Sequence, residues 1–133
     1  MPERLFTPEQ ANAALTRVRP LVERLVDRRA SLLAAQARLA ELLAKVAGNG
    51  GGLDPNAAQE LVAAVQDAEH ELDDVAAELT EAGVVVRDPD SGLVDFPSVR
   101  DGEPVFLCWQ LGEDDVAWWH GPEEGFAGRK PLV

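Results

Sequence analysis

The segment Gly48–Pro55, which reads GNGGGLDP, decides the fold of this chain because it separates two long helical patterns. Its glycines end one helix and form a flexible loop. Asp54 and Pro55 then supply the N-cap and the first-turn proline of the next helix. A glycine loop between two long helices joins them into an antiparallel hairpin. The sequence therefore predicts helices over residues 7–47 and 54–82.

The first helix opens with a capping box, because Thr7 and Gln10 can exchange side-chain hydrogen bonds with each other's backbone N–H groups. Pro20 lies inside the helical pattern, and its missing N–H group predicts a kink or a break near residue 20. The apolar residues recur at the three- and four-residue spacings of one buried face: Leu15, Val18, Val22, Leu25, Leu32, Leu39, Leu43 and Val46.

The second helix has apolar residues that alternate in spacing between four and three: Leu61, Val65, Ala68, Leu72, Val75, Leu79 and Ala82. Residues 54–82 carry nine acidic side chains and no Lys or Arg, whereas the first helix carries seven basic and four acidic ones. Net charges of −9 and +3 favour pairing of the helices, although each exposed ion pair contributes only about 0.2–1 kcal/mol. The acidic excess is interpreted as a solvated face, with a docking surface for divalent cations or basic proteins as the alternative.

After Gly83 the hydrophobic period changes from 3.6 to 2, which indicates a sheet. An even-length turn over residues 112–115 pairs Leu111 with Val116, so Trp109 is expected to face Trp118, and Leu107 to face His120. The strands are predicted at 84–86, at 93–96 before Pro97, at 104–111 and at 116–120, followed by an irregular tail within the 83–133 region.

The predicted fold class is therefore α+β, with a long antiparallel helical hairpin followed by a small antiparallel β-sheet in a single domain over residues 1–133. A formal charge of −12 disfavours nucleic acid and anionic membrane surfaces as partners. Cys108 is the only cysteine, which excludes an intrachain disulfide. The start of the sequence lacks a signal-peptide pattern and no apolar run reaches about 18 residues, so we expect a cytoplasmic protein.

His120 is the residue that most suggests a site, because Glu123 follows it by three positions. These two side chains can form half of a site for a divalent transition metal, which Asp95 or Glu113 would complete. The alternative is a structural histidine that is hydrogen-bonded at the end of a strand. Arg129 is expected to pair with Asp95 or Glu113 as a clamp, or to bind an anionic ligand.

The aromatic residues near the end of the chain have two interpretations. They form either the core of a small sheet or an aromatic-lined pocket. Cys108 is interpreted as a small buried hydrophobe rather than a catalytic thiol, and His70 as a solvent-exposed helix residue. The aromatic cluster consists of Trp109, Trp118, Trp119 and Phe126.

The motifs of the last third of the chain closely resemble an uncharacterised bacterial family, the domain of unknown function 2203. The resemblance covers essentially the whole chain and implies no established activity, cofactor or partner. It directs attention to the polar motif residues Asp95, Glu113, His120 and Arg129, with Glu123 at a position that is often acidic. The motifs are Gly92-Leu93-Val94-Asp95-Phe96-Pro97, Leu107-Cys108-Trp109, Leu111-Gly112-Glu113, Trp119-His120 and Gly125-Phe126-Ala127-Gly128-Arg129.

Two functions follow as hypotheses. The leading one is a non-enzymatic homodimeric module, in which the helices present a coiled-coil-like surface to a second copy or another protein. It rests on apolar residues outside the main stripes, which need a covering partner: Leu21, Leu33, Leu42 and Val62. The alternative is a protein that binds a metal or small ligand, including a hydrolase-like enzyme, through the C-terminal Asp/Glu/His cluster. The sequence leaves open whether the protein is an enzyme.

Overall fold

The computed structural model describes residues 4–49, 52 and 54–133, and it confirms the α+β class. Two antiparallel helices pack on one face of an antiparallel sheet whose strands lie side by side in chain order. Part of the predicted glycine loop (Gly50, Gly51 and Leu53) lies outside the described residues. The elements are α1 (Pro8–Asn49), α2 (Pro55–Glu81), β1 (Val85–Asp88), β2 (Leu93–Arg100), β3 (Glu103–Gln110), β4 (Trp118–His120) and β5 (Lys130–Pro131), with a short 3₁₀ turn at Phe126–Gly128.

Both helices begin with the caps that the sequence predicts. The Thr7 backbone N–H donates to Gln10 Oε1 at 2.9 Å, and the Gln10 N–H donates to Thr7 Oγ1 at 3.1 Å. The Asp54 carboxylate accepts from the Asn56 N–H at 3.0 Å. These side chains satisfy N–H groups that have no partner within the first turn of a helix.

Helix α1 runs through Pro20 as one continuous element, so the break that was one expected outcome there does not occur. Proline removes one helical hydrogen bond, but the buried residues on both sides of it, Val18 and Leu21, hold this part of α1 against the core. None of the described helices is apolar enough over a sufficient length to cross a membrane.

One residue of the predicted α1 stripe is misplaced. Leu43 is exposed, whereas Leu42 is half-buried and continues the three–four spacing between Leu39 and Val46. Both Leu42 and Leu43 fit an apolar repeat in sequence, and only the direction of α2 from α1 selects between them.

The hydrophobic core lies between the helices and one face of the sheet. Trp109 and Phe96 are fully buried there, together with Leu79 of α2 and Val22 of α1. Side chains that alternate along a strand point to opposite faces of the sheet. Every second residue of β2 and β3 therefore points away from the helices, and these residues form the second face of the sheet.

The register of β3 with β4 differs by one residue from the prediction. Trp118 lies opposite Cys108, and His120 lies opposite Phe106. The connection is longer than a simple hairpin turn because residues 111–117 are not paired as strands. The Asn12 side chain holds this connection, since its Oδ1 accepts from the Val116 N–H at 2.7 Å. A shift of one residue moves each side chain to the other face of the sheet.

Strand β2 extends beyond its predicted limit, and strand β5 was not predicted. β2 continues through Pro97 to Arg100. β1 pairs with β2 only as far as Asp95, so no strand lies beside Pro97 on that side and none requires the N–H group that proline lacks. The Pro97 carbonyl instead accepts from the Phe6 N–H at 2.8 Å. The tail that was predicted to be irregular contributes β5, which pairs with β4.

Gly92 and Gly102 offer a matched test of packing, because their φ angles are nearly the same, 78° and 79°. A Cβ at Gly92 would lie 2.8 Å from Leu111 Cβ and 2.9 Å from Val22 Cγ1, whereas a Cβ at Gly102 meets nothing within 4 Å. We expect Gly102→Ala to lower the free energy of unfolding by about 1 kcal/mol, from the positive φ alone. Gly92→Ala should lower it by about 1–3 kcal/mol more, because of overpacking. Urea unfolding measures both changes, and equal losses would contradict this account.

Candidate functional site

The second face of the sheet carries three buried titratable side chains from three neighbouring strands. Asp95 of β2 lies directly opposite Cys108 of β3, and His120 ends β4. Their exposed fractions are 1% for Asp95, 1% for Cys108 and 3% for His120. Polar side chains this deeply buried are unfavourable unless they are paired or bind a ligand. This group, Asp95, Cys108 and His120, is called the triad below.

Asp95 is the centre of the polar contacts on this face. Its Oδ2 accepts a hydrogen bond from Arg87 Nε at 2.7 Å. His120 Nε2 lies 3.0 Å from both Asp95 oxygens, so the imidazole reaches across β3 to the carboxylate. The Arg87 guanidinium stacks over Phe106, with its carbon 4.7 Å from the ring centroid. Arg87 therefore contributes a fixed positive charge on one side of the carboxylate.

The hydrogen bonds of His120 determine what its Nε2 can do. Nδ1 lies 2.8 Å from the Gly121 carbonyl oxygen, which can only accept, so Nδ1 carries a hydrogen. In a neutral ring Nε2 would then present a lone pair to the Asp95 oxygens, which are also acceptors. Either a proton held between Nε2 and the Asp95 carboxylate or a metal ion bound by both groups removes this conflict.

Cys108 is held as a neutral thiol in the metal-free protein. Burial, followed by the negative charge of Asp95, raises the pKa of the Cys108 thiol from 9.0 to about 12, and Arg129 partly opposes this shift. The thiolate is the form that binds metals and acts as a nucleophile. Cys108 therefore becomes a ligand only if a cation displaces its proton.

Residues 121–126, called the covering segment below, follow β4, cover the triad and leave a cavity of about 350 Å³ beside it. Glu124 fixes this segment, because it accepts from the Gly121 N–H at 2.9 Å and pairs with Lys130 Nζ at 2.8 Å. These two donors, Lys130 first, lower the pKa of Glu124. Glu123 also lines the cavity, on an exposed part of the segment.

Glu113 forms a separate ion pair with Arg129 and does not contact the triad. Arg129 Nη2 donates to both Glu113 oxygens at 2.8 Å, and Glu113 Oε1 accepts from the Gln110 N–H at 2.7 Å. The Arg129 guanidinium lies between the rings of Trp118 and Phe126, at 4.9 and 4.5 Å from their centroids. Its Nε is buried without a hydrogen-bond partner. This pair holds the covering segment against β4.

Of the predicted metal candidates, the structure brings Asp95 and His120 into contact and places Glu123 at the cavity. It places Glu113 with Arg129 rather than with the triad. Because of the strand register, the tryptophans lie on opposite faces of the sheet. Trp109 and Trp119 pack on the helix side of the sheet, and Trp118 lies on the second face.

Sequence reasoning missed Cys108 and Arg87. Cys108 could have been found from the β2–β3 pairing alone, since that register sets it beside Asp95 on the same face. Arg87 had no such signal, because β1 contains an irregularity between Val86 and Asp88 that changes the alternation of its side chains.

Comparison with known proteins shows the family of this chain. The family described as "Uncharacterized conserved protein (DUF2203)" matches residues 4–132, so the chain belongs to it and the resemblance noted from the motifs is confirmed. No curated protein and no solved structure matches the chain.

Cys108 should resist alkylation in the folded, chelator-treated protein. At pH 8 a pKa of about 12 rather than 9.0 lowers the thiolate fraction about 1,000-fold, and burial slows the reaction further. Because Cys108 is the only cysteine, intact mass after iodoacetamide treatment reports it alone. The same protein in urea should react at the rate of an ordinary thiol. Rapid labelling of the folded protein at pH 8 would contradict the assignment.

Proposed function

We propose that this DUF2203 protein binds a divalent transition metal ion, with Zn²⁺ the best fit, through Asp95, Cys108 and His120. The observation that carries the proposal is the convergence of the triad. One ligand atom from each side chain lies within 4.8 Å of the other two, and all three residues are buried. The three come from three different strands, so their meeting depends on the register of the whole sheet.

The types and distances of the donor atoms support zinc. Carboxylate oxygen, thiolate sulfur and imidazole nitrogen are all zinc ligands, at about 2.0–2.3 Å from the metal. In a tetrahedral site such atoms lie about 3.3–3.6 Å apart, close to the 3.0 Å between His120 Nε2 and the Asp95 oxygens. The Nδ1–H bond to the Gly121 carbonyl is the outer contact that usually orients a metal-binding histidine.

Three protein ligands leave a fourth coordination position, and the cavity beside the triad gives it access to a small ligand. Catalytic zinc sites have this composition, with three protein ligands and a water molecule, whereas structural sites are closed by four. Glu123 lines the same cavity and is the group that we assign to proton transfer with such a water. Metal-assisted hydrolysis is the reaction class that this arrangement supports.

The second function that we propose is protein–protein interaction through the helical hairpin. It is favoured by one observation, that apolar residues far from the sheet remain exposed, including Leu33, Leu43 and Val62. The two functions are compatible, because the triad lies on the face of the sheet that is turned away from the helices.

Metal binding is tested by titrating chelator-treated protein with Zn²⁺ and with Co²⁺. We expect one ion per chain, and His120→Gln should weaken binding at least about 100-fold, more than loss of an outer contact does. His70→Gln is the matched control, because His70 is the only other histidine and is exposed. Cobalt-loaded protein should show a thiolate charge-transfer band that Cys108→Ala lacks. Failure of the wild type to bind, or equal binding by His120→Gln, would refute the site.

Zinc binding should also release protons. The metal displaces the thiol hydrogen of Cys108 and the hydrogen held between His120 and Asp95, so we expect about two protons per ion. Affinity should therefore fall as the pH is lowered. Calorimetry in buffers of different ionisation enthalpy counts the protons, and Cys108→Ala should release about one fewer. No release at all would show that the ion binds elsewhere.

A further inference from the structure

The hairpin extends beyond the part that the sheet supports. Along α1 the last buried residue is Leu32, and along α2 the first is Ala68. Between them lie residues 33–48 of α1 and 55–67 of α2, which are called the distal hairpin below. No side chain that the structure describes in the distal hairpin is buried, because two helices alone cover only the stripe between them.

Helix α1 separates its charged and apolar side chains within the distal hairpin. The charged residues share one stripe at spacings of three and four: Arg38, Glu41 and Lys45. The stripe on the other side follows the spacing three–four–three–four, carries no charge and is exposed throughout: Leu33, Gln36, Ala40, Leu43 and Ala47. This repeat is the pattern of a helix that packs against another helix.

The exposed area of the chain is large enough for a stable interface. A compact monomer of 14.3 kDa exposes about 6,800 Å², whereas this chain exposes 8196 Å². The excess of roughly 1,400 Å² is greater than the ~800 Å² that each partner buries in a standard interface. Association that buries an area of this size would bring the chain to the exposure of a compact protein.

We propose that the distal hairpin packs on the distal hairpin of a second copy of this chain to form a four-helix bundle. This inference rests on the interaction function proposed above and names its partner. A two-fold axis brings a surface against itself, so a stripe with charges of one sign would repel its counterpart. The exposed stripe of α1 carries none, which makes it complementary to itself.

The charges of the two helices pair α1 with α2 within one chain and stay off the exposed stripe. α2 carries eight acidic residues and no basic ones, and α1 has a net charge of +3. Among the described residues the ion pairs between the helices end before the distal hairpin: Arg17–Glu81, Arg24–Glu78 and Arg28–Glu71. The basic side chains beyond them, Arg38 and Lys45, lie on the charged stripe of α1, on the far side from the proposed interface, so they place no charge between the two copies.

Light scattering after size exclusion tests the proposal on the full chain over a dilution series. We expect twice the 14.3 kDa chain mass at tens of micromolar. Leu43→Glu should raise the dimer dissociation constant at least about 10-fold.

Val99→Glu is the matched control, since both residues are 52% exposed and Val99 lies on β2. Circular dichroism should show unchanged helix content in both variants, because glutamate is a good helix former at position 43 and Val99 lies outside the helices. A monomeric wild type, or a dimer that Leu43→Glu leaves intact, would overturn the proposal.

Photocrosslinking separates failure of this proposal from failure of the interaction function. Benzoylphenylalanine placed at Gln36, on the exposed stripe, should give an adduct of twice the chain mass in cells that express the full chain. Adducts formed only with other proteins would overturn the second copy as the partner and leave the interaction function standing. The absence of any adduct would overturn both.

Discussion

The carboxylate of Asp95 is the group on which the second face of the sheet depends. It is almost fully buried, and it accepts from Arg87 on one side and contacts His120 on the other. Removing one partner from a buried charged pair costs about 3–5 kcal/mol, because the remaining charge is left uncompensated. Asp95 therefore links β2 to β1 and to β4 through side chains, in addition to the backbone pairing of the strands. The covering segment, which follows His120 directly, depends on it in turn.

The sequence alone was sufficient to predict the helices and the class of the fold. Capping residues and long apolar repeats are local signals, and the caps at Thr7 and Asp54 form as expected. The choice between Leu42 and Leu43 was not predictable in this way, because it depends on the direction from which α2 approaches. The prediction of the β3–β4 register was wrong for a similar reason. The Asn12 side chain of α1 holds the connection before β4, and this contact is distant in sequence.

The candidate site was predictable only in part. Asp95 and His120 were both predicted as candidate ligands, but their contact crosses a whole strand, and no spacing in the sequence encodes it. From the sequence, Glu123 was placed with His120, and Glu113 was the alternative to Asp95 for completing the site. The structure separates them because Arg129 takes Glu113, while Glu123 stays at the cavity. Carboxylates that look alike in sequence are thus distinguished by whether a basic side chain of the fold pairs with them.

The two hydrogen bonds of His120 and the neutral thiol of Cys108 have a consequence for the electrostatics of the proposed site. Without metal, the guanidinium of Arg87, the carboxylate of Asp95 and the one proton held between that carboxylate and His120 sum to one positive charge. With a divalent ion, a thiolate and a neutral imidazole, the sum is again one positive charge. Loading is then an electroneutral exchange of two protons for one ion. The surrounding low-dielectric sheet has no additional net charge to accommodate, and the long-range field of this acidic protein stays the same in both states.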